Sequence, residues 1–341
     1  MTATTTTYPV HHRSAVVRDH TIAYREAGDP AAPAIVLLHG FPTSSFMFRG
    51  LIEDLAGSYH VLAPDHLGFG ASDTPAVSEF DYTFDNLTKV TTELLEQLGV
   101  ARFALYIQDY GAPIGLRLAS RHPERITALI VQNGNAYAEG LTPFWDGLRG
   151  FWADRATHEN AVRELLRTDD FRWQYLHGVP EDRLDHVDPD AWALDRARVD
   201  RPGNVEVQLQ LFWDYRTNLD AYPEFHNSLR THRPPTLIVW GEHDEIFGAD
   251  GARAYLRDLP DAELHLLDAG HFALETHRRE IAALIHDFLP RPPLRRDQPM
   301  PHRFAELLAD INRFPRTRPS TGPGPSRLGS ARPQAFAGGK D

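Results

Sequence analysis

Asp109, Asp244 and His271 are the side chains of this sequence whose types and order could carry out covalent chemistry. Asp109 lies at a sharp corner, between the apolar run FALYIQ and the small-residue segment GAPIGLRLA. A carboxylate attacks esters and amides poorly, but it can displace a leaving group from sp3 carbon and form an alkyl ester. An imidazole oriented by a carboxylate can then take a proton from water. The pattern predicts alkyl transfer to Asp109, followed by ester hydrolysis with His271 as the base and Asp244 as its partner.

A second group of residues could stabilise the charge that develops during such a hydrolysis. The segment HGFP (39–42) follows the first buried-looking run, and Tyr110 follows Asp109 directly. Backbone N–H groups at these two places would point at the carboxyl group of Asp109. We therefore expect the N–H groups of Phe41 and Tyr110 to form a two-donor oxyanion hole.

The elements around these residues alternate between strand-like and helix-like segments. Six short apolar runs are typical of strands buried on both faces of a parallel sheet: AIVLLHG, HVLAPD, FALYIQD, ITALIVQN, TLIVWGEHD and AELHLLD. Helical patterns occur at 84–98, 111–122 and 279–289, and alternation of this kind implies right-handed crossovers. The alternating segment 16–28 predicts an antiparallel hairpin at the sheet edge. The predicted fold is α/β, with a mostly parallel central sheet flanked by helices.

The alternation stops over residues 135–230, which carry five of the six tryptophans. We interpret this stretch as a helical cap that covers the C-terminal edge of the sheet, where open α/β sheets bind ligands. The core would then consist of residues 15–134 and 231–290. The tryptophans could line a partly apolar pocket, or they could pack only a core of the cap's own.

The composition changes after Pro290. Residues 291–341 are interpreted as a C-terminal extension. Apolar residues at helical spacing predict a short helix over 302–314. Residues 315–341 are rich in Pro, Gly, Ser and Arg, and we expect them to be disordered.

Charge and composition exclude several classes of function. The 341-residue chain has a formal net charge of −12, so nothing in its charge favours binding to nucleic acid or to anionic lipid. It has no cysteine, which excludes thiol nucleophiles and disulfides. No apolar run has the length of a signal peptide core or a membrane span. We expect a cytoplasmic protein whose N-terminal residues, through His11 and His12, are mobile.

Taken together, these segments resemble α/β-hydrolases with an aspartate nucleophile, which include epoxide hydrolases, haloalkane dehalogenases and fluoroacetate dehalogenases. The resemblance covers residues 15–290 and rests on five segments in order: HGFP, DHLGFGASD, IQDYGAPIG, GEHDEIF and DAGHF. It implies the α/β-hydrolase fold with an inserted helical cap. The chemistry needs no metal and no organic cofactor.

The resemblance also leaves a choice for the acid that orients His271. In some dehalogenases this acid follows the strand before the cap, but here that strand ends in Gln132 and Asn133, without a carboxylate. This difference favours Asp244. Glu245, the next residue, is the fallback.

The leaving group separates the substrate classes. An epoxide oxygen needs a proton donor, which epoxide hydrolases supply from cap tyrosines, and the segment LFWDYRTN (211–218) resembles the one that carries such a tyrosine. Tyr215 is therefore the candidate proton donor. Haloalkane dehalogenases hold the halide with a Trp immediately after the nucleophile and often with an Asn, and this chain has Tyr110 and Phe41 at those places. Both differences favour the epoxide.

Four cap residues are expected to line the substrate pocket: Trp145, Trp173, Tyr175 and Trp213. Trp173 occupies the place of the second cap tyrosine of epoxide hydrolases. Trp173 and Tyr215 also resemble part of the fluoride site of fluoroacetate dehalogenases. The arginines that hold the substrate carboxylate in those enzymes are replaced here by Tyr110 and Pro113, which disfavours fluoroacetate.

The sequence thus favours an epoxide hydrolase that gives vicinal diols, with a small, largely apolar organic substrate and water as its partners. A haloalkane dehalogenase-type hydrolase of carbon–halogen bonds is the alternative. Other reactions of the fold, including cofactor-free oxygenation, stay open. A non-catalytic protein that binds a small ligand under the cap is an alternative of another class, but such a protein has no use for an activated water.

Overall fold

An eight-stranded sheet organises the computed structural model, which describes residues 8–289. The strands are β1 (His11–Val17), β2 (His20–Ala27), β3 (Ala34–Leu38), β4 (His60–Pro64), β5 (Phe103–Gln108), β6 (Ile126–Gln132), β7 (Thr236–Gly241) and β8 (Glu263–Leu267). Their order across the sheet is β1-β2-β4-β3-β5-β6-β7-β8. β2 pairs antiparallel with β1 and with β4, and every other pair is parallel. The predicted mostly parallel sheet is confirmed.

The edge hairpin is longer than the predicted segment 16–28. β1 begins at His11, and both His11 and His12 pair with residues of β2. The expectation that these two histidines lie in a mobile N-terminus is therefore wrong, because the backbone ladder fixes them. The turn residues Arg18 and Asp19 have φ values of 49° and 65°. Positive φ at both central residues matches the right-handed twist of a two-residue hairpin.

Alternate side chains of each parallel strand enter one of two hydrophobic cores, one on each face of the sheet. In β3, Val36 and Leu38 belong to one core, and Ile35 and Leu37 belong to the other. All four are fully buried, and such burial stabilises the fold by about 1.5–3 kcal/mol for each side chain. This explains why the strands are nearly continuous apolar runs in the sequence.

Helices cover both faces of the sheet. They are α1 (Arg49–Leu55), α2 (Phe84–Gln97), α3 (Gly111–Arg121), α4 (Asp146–Ala153), α5 (Arg155–Thr168), α6 (Arg172–Leu176), α7 (Pro189–Val199), α8 (Asn204–Asp214), α9 (Arg216–His232), α10 (Ala249–Ala254) and α11 (Ala273–Phe288). Helices α2 and α3 pack on the core that contains Val36, while α1 and α11 pack on the core that contains Ile35. Shorter 3-10 segments lie at Ser45–Phe48, Pro123–Arg125, Ala138–Gly140, Pro143–Trp145, Glu181–His186 and Tyr255–Arg257.

The chain between β6 and β7 forms a helical insertion, whose elements run from Ala138 to His232 and include α4 to α9. It is tied to loops that follow the C-terminal ends of strands. Asn204 Nδ2 donates to the carbonyl oxygen of Gly68, 2.6 Å away, in the loop after β4. Trp145 Nε1 donates to the carbonyl oxygen of Ile246, 2.8 Å away, in the loop after β7. Trp145 also lies in the same hydrophobic core as β5, so the insertion does not pack only a core of its own.

The predicted C-terminal extension, residues 291–341 with its helix over 302–314, lies outside the described residues. Within residues 8–289, no helix combines the length and the apolar character that a membrane crossing requires.

The crossing of α3 over the sheet needs a residue without a side chain at its first position. A Cβ built on Gly111 would lie 2.1 Å from the carbonyl oxygen of Leu38. We expect Gly111→Ala to lower the Tm by about 5 °C, because relief of the overlap requires displacement of β3 or α3. A Cβ on Gly57 would meet nothing within 4 Å, so Gly57→Ala is the matched control. Equal Tm values for the two variants in thermal unfolding would contradict this prediction.

Candidate active site

The corner predicted at Asp109 is present. β5 ends at Gln108 and α3 begins at Gly111, so only two residues join the strand to the helix. Asp109 has a φ of 47°, in the left-handed region that side chains other than glycine seldom adopt. Strain of this kind persists only where the surroundings hold it, and it is common at functional sites.

Backbone N–H groups meet the carboxylate of Asp109. The N–H of Phe41 donates to Asp109 Oδ1 at 2.6 Å, and the backbone N–H of Tyr110 also bonds to this carboxylate. A Cβ on Gly40 would lie 2.1 Å from Oδ1, so the HGFP loop approaches this closely only because residue 40 is glycine. The structure thus brings together Asp109 and both residues predicted for the oxyanion hole.

His271 lies between two carboxylates. Its Nδ1 bonds to Asp244 Oδ2 at 2.8 Å, and its Nε2 lies 3.9 Å from Asp109 Oδ2. All three residues are buried. The bond to Asp244 orients the ring so that Nε2 points toward Asp109.

Asp244, and not Glu245, is the acid beside His271. Asp244 Oδ2 also accepts a hydrogen bond from Asn133 Nδ2 at 2.8 Å, and Oδ1 accepts from the N–H of Ile246 at 2.7 Å. The side chain of Glu245 is more than half exposed and pairs with His177, so it does not contact His271.

The two titrating groups of the site influence one another. Burial raises the pKa of Asp109 to about 6, although His271 and the N–H groups of Phe41 and Tyr110 oppose the rise. Burial alone would lower the pKa of His271, but the carboxylates of Asp244 and Asp109 outweigh it and hold this pKa above its ordinary value. At neutral pH Asp109 is therefore in its ionised form, and its charge favours protonation of the His271 ring.

Aromatic rings pack beside Asp109. We call them the aromatic cluster: Phe41, Tyr110, Trp145, Phe171, Phe212 and Tyr215. The ring of Phe41 lies 5.0 Å from that of Phe212 and 5.4 Å from that of Phe171. The ring of Tyr110 lies 5.9 Å from that of Tyr215. The Tyr110 hydroxyl is buried and has no hydrogen-bond partner among the described residues. The side chains packed on this side of Asp109 are therefore apolar, apart from phenolic hydroxyl groups.

Tyr215, the predicted proton donor, is buried in this cluster. Its ring lies 4.4 Å from Trp145 and stacks on Trp152 at 5.9 Å. Its hydroxyl is hydrogen-bonded to that of Tyr222, which in turn accepts from Asn135 Nδ2 at 3.1 Å. Burial, followed by Tyr222 and by the charge of Asp109, raises the pKa of Tyr215 well above its ordinary value. The phenol is therefore protonated at neutral pH.

Three of the four pocket residues predicted in the cap do not join the aromatic cluster. Trp173 is 37% exposed and stacks on Phe144 and His177 at the surface. Trp213 packs its ring against the guanidinium groups of Arg155 and Arg216.

The third, Tyr175, is buried but packs on the far side of Phe272, where its hydroxyl donates to Asp195 Oδ2 at 2.6 Å. The helices of the insertion turn these three rings toward its surface or toward the other core, whereas Trp145 belongs to the aromatic cluster.

Two residues of the site were missed as contributors. Gln108 Nε2 lies 3.0 Å from His271 Nε2, and Asn133 fixes the carboxylate of Asp244. Gln108 is a polar residue at the end of a central buried strand, immediately before Asp109, and this was the available signal. For Asn133 the sequence indicated only that the strand before the insertion ends without a carboxylate. Its φ of 46° places its amide between β6 and β7, where its Oδ1 also accepts from the N–H of Gly241 at 3.0 Å.

The histidines near the HGFP loop have a structural role. His39 Nε2 accepts a hydrogen bond from the N–H of His66 at 3.1 Å, and His66 Nε2 donates to the carbonyl oxygen of His39 at 2.9 Å. Burial lowers the pKa of His39 to about 4, so its ring is neutral and fixes the loop that carries Phe41. Over residues 8–289 no three His, Asp or Glu side chains are placed to hold a metal ion.

Comparison with known proteins matches this architecture to a family. The alpha/beta hydrolase fold family matches residues 33–278, well over half of the chain. The chain belongs to this family. A further similarity is to an uncharacterized hydrolase of Saccharomyces cerevisiae, 44% identical over 276 residues that cover 80% of this chain and 94% of the yeast protein.

Other relatives of this alpha/beta hydrolase carry more specific names. A haloalkane dehalogenase of Mycobacterium marinum is 44% identical over 122 residues, which cover 35% of this chain and 41% of the relative. The crystal structure of the haloalkane dehalogenase DatA from Agrobacterium tumefaciens superposes with a TM-score of 0.68 at 22% identity, covering 82% of this chain and 95% of that one. The structural similarity shows that the fold is shared.

The buried charge of Asp109 predicts opposite effects of two similar substitutions on the stability of this hydrolase. Asp109→Asn removes a carboxylate whose folded-state pKa, about 6, exceeds its value in the unfolded chain, so folding with the charge is unfavourable above that pH. We expect the variant to be more stable by about 1–3 kcal/mol at pH 7.5. The gain should decrease as the pH falls through 6 and vanish below about pH 3, where the carboxyl group is protonated in both states. Thermal unfolding across this pH range measures it.

Asp244→Asn should instead destabilise the fold, because Asp244 accepts hydrogen bonds from His271, Asn133 and the N–H of Ile246. Glu245→Gln, at an exposed neighbour, should have little effect. If Asp109→Asn lowers the Tm as much as Asp244→Asn does, burial of the Asp109 charge does not destabilise the folded state.

Proposed function

We propose that this hydrolase opens small, largely apolar epoxides to vicinal diols through a covalent ester on Asp109. The observation that carries the proposal is the position of Asp109. Its Oδ1 is held by the N–H of Phe41, and its Oδ2 lies 3.9 Å from a base that a buried carboxylate orients. An aspartate in the place of a serine nucleophile suits attack on sp3 carbon and not on carbonyl carbon.

In the first step, Asp109 Oδ2 attacks a ring carbon of the epoxide. The carbon–oxygen bond breaks, and its electron pair goes to the ring oxygen, which takes the proton of the Tyr215 hydroxyl. The products are an alkyl ester on Asp109 and a tyrosinate at Tyr215. The hydroxyl of Tyr222, which is bonded to Tyr215 and accepts from Asn135, stabilises the tyrosinate.

In the second step, His271 Nε2 takes a proton from water, and the hydroxide attacks the ester carbon of Asp109. The N–H groups of Phe41 and Tyr110 stabilise the oxyanion that forms. The intermediate collapses with cleavage of the bond to the diol oxygen, which receives the proton from His271. The remaining proton of the water returns to Tyr215, so one epoxide and one water give one diol.

The hydrogen-bond donors around the cluster favour oxygen as the leaving atom. The indole N–H groups of Trp145 and Trp152, which contact Tyr215, donate to the carbonyl oxygens of Ile246 and Phe212. Neither is left to hold a halide ion. Among the described side chains of the cluster, the donors that remain are phenols, which can transfer a proton, and an alkoxide requires a proton where a halide does not.

Hydrolysis of a carbon–halogen bond is the second candidate, and two observations favour it. The relative from Mycobacterium marinum is a haloalkane dehalogenase. The hydroxyl of Tyr110, next to Asp109, is buried without a partner, so it could donate to a departing halide. The ester on Asp109 and its hydrolysis by His271 would be the same.

The covalent intermediate provides the decisive measurement. We expect His271→Gln, which lacks the base, to form the ester with Asp109 and to accumulate it. The variant is incubated with styrene oxide or with butyl bromide and analysed by intact-protein mass spectrometry and peptide mapping. An epoxide adds its whole mass, whereas a halide adds only its alkyl group.

Asp109→Asn in the same background is the control and should form no adduct. In the wild type, one turnover in water enriched in heavy oxygen should place the label in the carboxylate of Asp109. If the wild type consumes a compound while His271→Gln gives no adduct on Asp109, the covalent mechanism is refuted. If only butyl bromide gives an adduct and turnover, the second candidate replaces the first.

The identity of the proton donor gives a separate prediction. Tyr215→Phe should slow formation of the ester from styrene oxide about 100-fold or more, because the alkoxide then leaves without a proton. Formation of the ester from butyl bromide should change little. Tyr175→Phe is the matched control, since it also removes a buried hydroxyl but one that bonds to Asp195 behind Phe272. Equal slowing in both variants would exclude Tyr215 as the donor.

A further inference from the structure

Gln108 makes an unusual contact with the proposed base. Its side-chain nitrogen Nε2 lies 3.0 Å from Nε2 of His271, at the ring nitrogen nearer to Asp109. Gln108 is fully buried, and its Oε1 has no hydrogen-bond partner among the described residues. A buried amide oxygen without a partner is unfavourable, so its presence beside a site requires an explanation.

We propose that Gln108 is a positioning residue for His271, and that its side-chain amide bonds to the ring nitrogen Nε2 in both protonation states of the imidazole. This inference rests on the proposed function, because it concerns the second step of that reaction.

The two ends of the amide suit the two states of the ring. In neutral His271, Nδ1–H donates to Asp244, and Nε2 carries a lone pair that accepts from the amide NH2 of Gln108. In the imidazolium, Nε2 carries a hydrogen, which needs an acceptor. A half-turn of the amide would place Oε1 at that hydrogen, and no bond to Oε1 opposes the turn.

The neighbouring Gln132 shows the contrast. Gln108 and Gln132 are register partners at the ends of β5 and β6. Gln132 Oε1 accepts from the hydroxyl of Tyr106 at 2.5 Å, and its Nε2 donates to the carbonyl oxygen of His271 at 3.2 Å. Both ends of this amide are occupied, so it cannot turn without loss of a bond. Gln132 therefore holds the backbone of His271, whereas Gln108 contacts the ring nitrogen that exchanges the proton.

The imidazole of His271 must change its protonation state during the reaction, so Oε1 of Gln108 gains a hydrogen-bond partner when the ring is protonated. The charged groups that face His271 are Asp244, from the loop after β7, and Asp109, from the turn after β5. While Asp109 is ionised, it favours the imidazolium. Esterification removes that charge, so the imidazolium then loses its proton more readily. Gln108 would bond to Nε2 both before and after the proton is lost.

The test measures the ring and the reaction separately. Nitrogen NMR of the imidazole, with the His271 signal assigned from its absence in His271→Gln, gives the midpoint of its titration without any substrate. We expect Gln108→Leu to move the midpoint to lower pH, because both states of the ring lose a bond and the charge-assisted bond of the imidazolium is the stronger one. Gln108→Glu should move it to higher pH, because a carboxylate then lies beside Nε2. Gln132→Leu, the matched control, should leave it unchanged, whatever it does to stability.

Rapid-quench mass spectrometry with styrene oxide or butyl bromide then follows the ester. Gln108→Leu should slow hydrolysis of the ester about 10- to 100-fold, with a smaller effect on its formation. Unchanged midpoints in both Gln108 variants, or equal slowing of the two steps in Gln108→Leu, would overturn the inference. If no variant and no wild type forms an ester with either compound, the proposed function fails, while the NMR midpoints still decide whether Gln108 bonds to the ring in both states.

Discussion

The carboxylate of Asp109 carries its charge in surroundings that exclude most water, and the architecture of the site compensates for that placement. Two backbone N–H groups and the imidazole of His271 lie around it, while the aromatic cluster closes the other side. Each partner is itself constrained. Gly40 lets the HGFP loop approach, and the short turn after β5 holds the side chain above the sheet. A carboxylate with few water molecules around it is a better nucleophile, so the unfavourable burial and the proposed chemistry have the same origin.

The helical insertion is part of this arrangement and not an independent lobe. Trp145 and Tyr215 lie in the hydrophobic core that α2 and α3 share with the sheet. Asp214 accepts a hydrogen bond from the N–H of Phe84 at 2.8 Å, which fixes the end of α8 to the start of α2. The position of Tyr215, directly after α8, depends on the same bond. The packing of the hydrophobic core therefore also fixes the position of the Tyr215 phenol.

The sequence was sufficient to predict the sheet, the corner at Asp109 and the contact between His271 and Asp244. These features rest on local rules, because parallel strands are continuous apolar runs and their C-terminal ends lie at one edge. The rings of Trp173, Tyr175 and Trp213 could not be placed in this way. Their directions depend on how six short helices pack against one another, and aromatic residues occur on every side of these helices.

Gln108 and Asn133 illustrate a different limit. Both are uncharged amides at strand ends, and an amide in such a place more often satisfies local backbone groups than orients a base. Their roles follow from contacts with residues more than a hundred positions away in the chain. A motif read along the sequence contains no information of that kind. The start of the predicted hairpin, at His11, was missed for a simpler reason, since its exposed first residues carry no apolar alternation.

The long separation of Asp109 from His271 also has a consequence for folding. The insertion of nearly a hundred residues lies between β6 and β7, so the strands that supply Asp244 and His271 pair with the sheet only after a large loop has closed. Loops of this size make such contacts late, because the entropy of closure must be overcome first. A chain that has formed β3 to β6 already has the turn that carries Asp109, but neither His271 nor Asp244 lies beside it yet. The candidate site is therefore completed only when β7 and β8 join the sheet.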